Sequence, residues 1–174
     1  FKYSIRITLL NPFFHTLILS GSNLGEPERN LAFALEGMKS MGKVIRKSSL
    51  YRSAPWGFNS ENQFLNQVVS LQTRLDPGDQ LKALLKIEME AGRYRSAKGY
   101  EDRILDLDIL FIDDLIINTA ELSVPHPRLH QRRFTLIPIA EICPDFVHPV
   151  FQKQVKELLE ECEDDSRVEK LDSE

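Results

Sequence analysis

A chain of 174 residues, 42% hydrophobic and 28% charged, can bury one substantial core and has the composition of an ordinary globular domain. Its net charge of −4 argues against a surface built for nucleic acid or anionic membrane, while leaving room for a local basic patch. Two cysteines without metal-ligand spacing, Cys143 and Cys162, point to a reducing compartment, and no apolar run reaches the roughly 20 residues of a membrane span.

Residues 1–15 carry Lys2 and Arg6 but no acid, and Asn11-Pro12 interrupts them, so they read as an extension or leader remnant, or as the cut edge of a longer polypeptide. The cytoplasm is the expected location, with an organelle left open. Residues 16–20 predict a buried strand running into the turn-forming Gly21-Ser22-Asn23-Leu24-Gly25. Pro27 suits the first turn of a helix with Leu31, Ala34, Leu35, Met38 and Met41 at helical spacing, and Gly42 ends it. Residues 44–51 predict a second strand, 52–60 a long loop broken by Pro55 and Gly57, and 64–73 a third strand. Asp76-Pro77 is an N-cap followed by proline, opening a helix whose inner face would carry Leu81, Leu84, Leu85, Glu88 and Met89 before Gly92 stops it.

Residues 93–102 are polar and contain Gly99, which predicts a mobile loop entering a strand over 103–112. Asp113-Asp114 then signals a turn into a hairpin partner at 115–118. Two prolines keep 123–128 irregular; 134–142 and 155–161 predict helices, and the acidic stretch 163–174 reads as a tail outside a single domain at 16–162. The order βαββαβ predicts an α+β, ferredoxin-like fold: an antiparallel sheet with helices packed on it and C-terminal additions. That fold hosts many functions and selects none.

Alternation on the 103–112 strand puts Asp106 and Asp108 on one face, with Leu105, Leu107, Ile109 and Phe111 opposite and Leu110 and Ile112 returning to the aspartate side. Two neighbouring carboxylates on a buried strand need a cation, and hard oxygen ligands suit Mg²⁺ completed by water and substrate phosphates. An edge strand with one solvated face is the other reading of the same residues. Arg93, Arg95 and Arg103 flank the loop and could fork onto phosphate oxygens, or simply pair with Glu101 and Asp102. His126 is held between Pro125 and Pro127, with Arg128, Arg132 and Arg133 close behind. Trp56, Phe58, Phe64 and Phe134 could sandwich a flat ring whose edge Asn66 would read, although core packing is the plainer use of Phe64 and Phe134. No P-loop or dinucleotide fingerprint is present, so ATP would bind without either cradle.

Together, Gly21-Ser22-Asn23-Leu24-Gly25, Tyr51-Arg52-Ser53-Ala54-Pro55, Phe64-Leu65-Asn66, Gly92-Arg93, Arg103 with Asp106-Leu107-Asp108-Ile109-Leu110, and Val124-Pro125-His126-Pro127 resemble the 6-hydroxymethyl-7,8-dihydropterin pyrophosphokinase family of folate biosynthesis. The resemblance implies pyrophosphoryl transfer from ATP to the pterin hydroxymethyl oxygen, with AMP leaving and two Mg²⁺ on Asp106 and Asp108. It implies that Arg93, Arg103 and His126 meet the phosphates, that Arg95 and Arg132 add ATP contacts, and that Ile109 and Ser123 offer backbone groups to adenine. It places the pterin near Phe64 and between Phe134 and a loop aromatic, Tyr100, read by Asn66 and by backbone groups around Ser53, Ala54 and Trp56. The usual Gly-Pro before Arg103 is here Glu101-Asp102, and the usual Trp is Tyr100, changes that add charge to the loop and remove rigidity. The resemblance also admits a chain cut from a multifunctional folate polypeptide, acting as a monomer on small molecules without nucleic acid or membrane. A noncatalytic ferredoxin-like module binding a ligand or RNA is the rival, disfavoured by paired aspartates and by the lack of an RRM aromatic motif.

Overall fold

A computed structural model describes residues 12–93 and 101–172. Its spine is β1 (Phe14–Ser22), whose residues from Thr16 onward are buried because the strand is covered on both faces. It begins two residues before the predicted domain boundary at 16. α1 (Pro27–Met41) follows, with Leu31, Ala34, Met38 and Met41 turned inward. The predicted second strand divides into β2 (Gly42–Lys47) and β3 (Tyr51–Ser53), both antiparallel to β4 (Phe64–Thr73). The division falls at Ser48, whose hydroxyl accepts from the Val68 N–H at 3.0 Å while its own N–H donates to the Val68 carbonyl at 2.8 Å.

α2 (Pro77–Glu90) starts as predicted, with the Asp76 carboxylate accepting from the Asp79 N–H at 2.8 Å. Its inner face differs from the prediction: Ile87 is buried with Leu84 and Glu88, and Met89 is 63% exposed. β5 (Asp106–Ile112) pairs antiparallel with β1 and lies at the sheet edge, in the order β5-β1-β4-β3 with a last short strand, β8 (Val168–Lys170), beyond β3. The register slips between Leu17 and Ile18, which pair with Phe111 and Ile109. This bulge corrects the strict alternation predicted for the strand: Leu105, Leu107, Ile109 and Ile112 join one core, while Leu110 and Phe111 join the other.

Residues 115–118 do not return along β5. The Asp113 N–H is bound to the His15 carbonyl at 2.8 Å, and a tight turn sends the chain away into β6 (Ile117–Asn118), which pairs with β7 (Ser123–Val124). The prolines therefore follow a short strand, and Val124-Pro125 is cis. After a 3-10 turn at Leu129–Gln131 come α3 (Arg133–Ile142) and α4 (Val155–Glu160), as predicted in kind. The acidic tail is not detached from the fold: β8 (Val168–Lys170) pairs with β3, and the Lys170 ammonium reaches Glu141 at 2.9 Å.

α1 and α2 cover one sheet face through a core that includes Ile18, Leu31, Met38, Val69, Leu84 and Ile109. α3 and α4 cover the other, through Leu17, Leu19, Val68, Phe111, Leu136, Ile139 and Leu158. An antiparallel α+β sandwich results, and residues near one end of its central strands line a recess beside α3.

Candidate active site

The recess floor follows from strand register. Gly21 on β1 pairs with Asp106 on β5 and with Asn66 on β4, so one row across the sheet reads carboxylate, no side chain, carboxamide. A Cβ on Gly21 would come within 3.3 Å of Asn66 Oδ1 and 3.8 Å of the Phe64 ring, so glycine keeps the middle of the floor open. Two residues along, Leu19 pairs with Asp108. The walls come from Ser53 at the end of β3 and Ala54, Trp56 and Phe58 after it, from Arg93, Glu101 and Arg103, and from His126, Arg128, Arg132 and Phe134.

Twelve of the sixteen predicted site residues converge: Ser53, Ala54, Trp56, Phe64, Asn66, Arg93, Arg103, Asp106, Asp108, His126, Arg132 and Phe134 line one recess. Ile109 and Ser123 do not line it; the Ile109 side chain is buried against α1 and α2, and Ser123 sits in β7. Arg95 and Tyr100 lie outside the described residues.

Asp106 is bracketed by cations. The Arg93 guanidinium donates to Oδ1 at 2.6 Å and the Arg103 guanidinium to Oδ2, so these two arginines pair with a carboxylate of the strand itself. Arg93 also donates to Glu88, whose Oε1 accepts from the Leu107 N–H at 2.7 Å. Burial opposes the charge on Arg93, but Asp106 and Glu88 outweigh it and hold the guanidinium firmly protonated. In the sequence alone Glu88 is one position on a helix face. A carboxylate at an inward helical position is the signal that marks it, because such a group needs a buried partner.

Asp108 lacks that compensation. Burial first, and the neighbouring Asp106 charge second, push its carboxyl up to about 7, against the smaller pull of Arg132 and Arg103. His126 faces it, with Nε2 3.9 Å from Asp108 Oδ2, beyond hydrogen-bond reach. Burial and the charges of Arg132 and Arg128 push the imidazole down to about 4, so it is neutral at pH 7. Its Nδ1 accepts from the Arg128 N–H at 3.2 Å, which leaves the proton on Nε2, facing the recess as a donor.

The aromatic end is equally defined. Asn66 donates to Ser53 Oγ at 3.0 Å, and Phe58 meets Phe64 edge-on with centroids 6.1 Å apart. The Arg132 guanidinium carbon stands 4.6 Å over the Trp56 ring and 5.7 Å from that of Phe134. The sequence grouped Arg132 with nucleotide contacts; its stacking here is on residues assigned to the ring.

Carboxylates suited to a hard cation, guanidiniums suited to phosphates and an aromatic slot, set side by side on an antiparallel α+β sandwich, define a transferase that moves a phosphate-bearing group onto a ring-bearing acceptor. The 7,8-dihydro-6-hydroxymethylpterin-pyrophosphokinase family model matches residues 17–144. The chain is 37% identical over 137 residues to the 2-amino-4-hydroxy-6-hydroxymethyldihydropteridine pyrophosphokinase of Aquifex aeolicus, covering 79% of this chain and 85% of that one. It is 41% identical over 128 residues to the Bacillus subtilis enzyme of the same name, with 72% and 76% covered. Among solved structures, Plasmodium falciparum HPPK-DHPS superimposes with a TM-score of 0.69 at 15% identity over 86% of this chain, which spans 44% of that one. The chain belongs to the 7,8-dihydro-6-hydroxymethylpterin-pyrophosphokinase family. Its function is that of the family, pyrophosphoryl transfer from ATP to hydroxymethyldihydropterin in folate biosynthesis. Some relatives are longer: the chain matches 20% of the Dictyostelium discoideum folic acid synthesis protein, at 33% identity. Among the described residues no helix is long and apolar enough to cross a membrane.

Proposed function

We propose that this transfer is Mg²⁺-dependent and that Asp106 and Asp108 hold the metal, as two ions, at the recess end where Arg93, Arg103 and His126 meet the phosphates. The carrying observation is the pair of same-face carboxylates beside those cations, with Asn66 in the same row across Gly21. The donor set fits. Among the described residues no three carboxylate, imidazole or thiol groups could enclose a metal alone, and Mg²⁺ commonly takes one or two carboxylates and leaves its other positions to water and phosphate. The metal would supply neutralisation of charge on the polyphosphate.

The side chains do the rest. The pterin hydroxymethyl oxygen attacks the β-phosphorus, the bond to the α,β-bridging oxygen breaks, AMP leaves and the hydroxyl proton is released. Catalysis of this kind is positioning and electrostatics, because the reaction needs no covalent help from protein. Asn66 and Ser53 present polar groups to the ring edge, and Phe64 and Phe134 its faces. His126 Nε2–H donates to a phosphate oxygen as a neutral group. Arg93 and Arg103 exchange Asp106 for the incoming polyphosphate, which frees Asp106 for metal.

Protein incubated with ATP, Mg²⁺ and 6-hydroxymethyl-7,8-dihydropterin should release AMP, and EDTA should stop it. ADP in place of AMP, or turnover indifferent to EDTA, would remove the proposed chemistry or the proposed metal respectively.

A further inference from the structure

One carboxylate outside the reacting groups joins three loops. Asp102 Oδ1 accepts from Asn23 Nδ2 at 2.6 Å, its Oδ2 accepts from Asn62 Nδ2 at 3.0 Å, and the Ser60 hydroxyl donates to it as well. Ser60 foremost, with Asn23 and Asn62, holds its carboxyl below the usual range, so it is ionised and accepting at neutral pH. Asn23 is 5% exposed and fixes the other side of the junction: its Oδ1 accepts from the Arg103 N–H at 2.7 Å, and its own N–H donates to the Arg103 carbonyl at 3.0 Å.

The segment 54–63 between β3 and β4 has no regular structure of its own, yet it carries Trp56 and Phe58, which wall the aromatic slot. A stretch of that kind takes its position from a few side-chain ties. Ser60 and Asn62 are such ties, and the group that receives them sits one residue before Arg103, which is bound to Asp106.

We propose that Asp102 is a positioning residue that fastens the 54–63 segment to the base of Arg103 and thereby sets the ring slot against the phosphate-binding end of the recess. It touches no substrate. Losing it lets Trp56 and Phe58 drift, which weakens pterin binding while leaving ATP binding in place. The idea rests on the reading that the pterin lies against Asn66 and Phe134, so Asn66→Ala is measured in parallel.

The test measures pterin affinity in the presence of a nonhydrolysable ATP analogue, steady-state KM and kcat, and amide hydrogen exchange across 54–63 in the ligand-free protein. For Asp102→Ala the expected result is a pterin KM raised about tenfold, the scale of one or two hydrogen bonds to a charged acceptor, with kcat and ATP affinity within about threefold of wild type. Exchange across 54–63 should quicken. Asp102→Asn, which keeps one acceptor oxygen, should recover part of the affinity. The exposed partner variant Asn62→Ala should reproduce the loss and add little when combined with Asp102→Ala, and it serves alone if Asp102→Ala folds poorly. If Asn66→Ala weakens pterin binding while Asp102→Ala and Asn62→Ala change neither affinity nor exchange, the fastening role is overturned. If exchange quickens but Asn66→Ala leaves pterin affinity intact, the pterin placement is wrong and the fastening of the segment stands.

Discussion

Replacing Asp108 with asparagine should make the metal-free protein more stable while destroying its activity. The carboxyl is held at about 7 by burial and by Asp106, against 3.8 in an unhindered aspartate. For an acid whose folded pKa is raised, the folded state keeps a proton that the unfolded state has lost, so stability falls as pH climbs from the unfolded to the folded value. Three pH units at about 1.4 kcal/mol each would cost about 4 kcal/mol. The side chain keeps 33% of its surface in contact with solvent, so screening reduces this to about 2 kcal/mol. In a chain of this length that is a Tm difference of roughly 4–8 °C. Asp108→Asn should therefore melt higher than wild type by that margin at pH 8 in EDTA, and the gain should shrink to about a degree near pH 4.5, where wild-type Asp108 is itself protonated. Mg²⁺ should raise the wild-type Tm more than that of the variant. A gain of equal size at both pH values, or a loss at pH 8, would refute the view of Asp108 as a half-buried carboxylate whose ionisation desolvation and Asp106 oppose.

Asp106→Ala should behave oppositely, losing about 3 kcal/mol because Arg93 and Arg103 are left without the carboxylate that both grip; chemical denaturation at pH 7 measures this, and a stabilised variant would contradict the ion-pair network. Gly21→Ala puts a methyl 3.3 Å from Asn66 Oδ1, so pterin KM should rise about tenfold with ATP affinity preserved, and equal losses for both substrates would place the pterin elsewhere. Arg93→Ala and Arg103→Ala should lower single-turnover rates by about a hundredfold or more while pterin affinity stays within a few fold, and the reverse pattern would put these arginines at the wrong substrate.

What could be read from the sequence was what local chemistry decides. Pro27 and Asp76-Pro77 announce their helices, and β4 occupies the residues its alternation marks. Asp106 and Asp108 share a face because side chains alternate, and that survives the bulge because the slip lies downstream of both. What long-range contacts decide stayed hidden. Nothing near Asp113 says that its N–H will be taken by His15, which sends residues 115–118 to β7 instead of β5. The 168–170 stretch is too short to be a strand alone and becomes one on the edge of β3. Glu88 gained its role only when folding brought Arg93 and the Leu107 amide to it. By sequence the Glu101-Asp102 pair implies lost stiffness in the loop, yet Asp102 gathers Ser60, Asn62 and Asn23 around itself, and only the folded chain brings those donors together.

The stacking of Arg132 on Trp56 places an optical reporter in the recess proposed to take both substrates. Trp56 is the chain's single tryptophan, so its emission comes from one known place and needs no label. A cation held 4.6 Å over an indole perturbs its excited state; if Arg132 is the proposed ATP contact, a polyphosphate would draw the guanidinium aside and remove that perturbation, while a ring in the proposed slot would impose another. Nucleotide and pterin should therefore leave different spectral marks, and a stopped-flow trace excited at the indole band would time each arrival separately within a single mixing experiment.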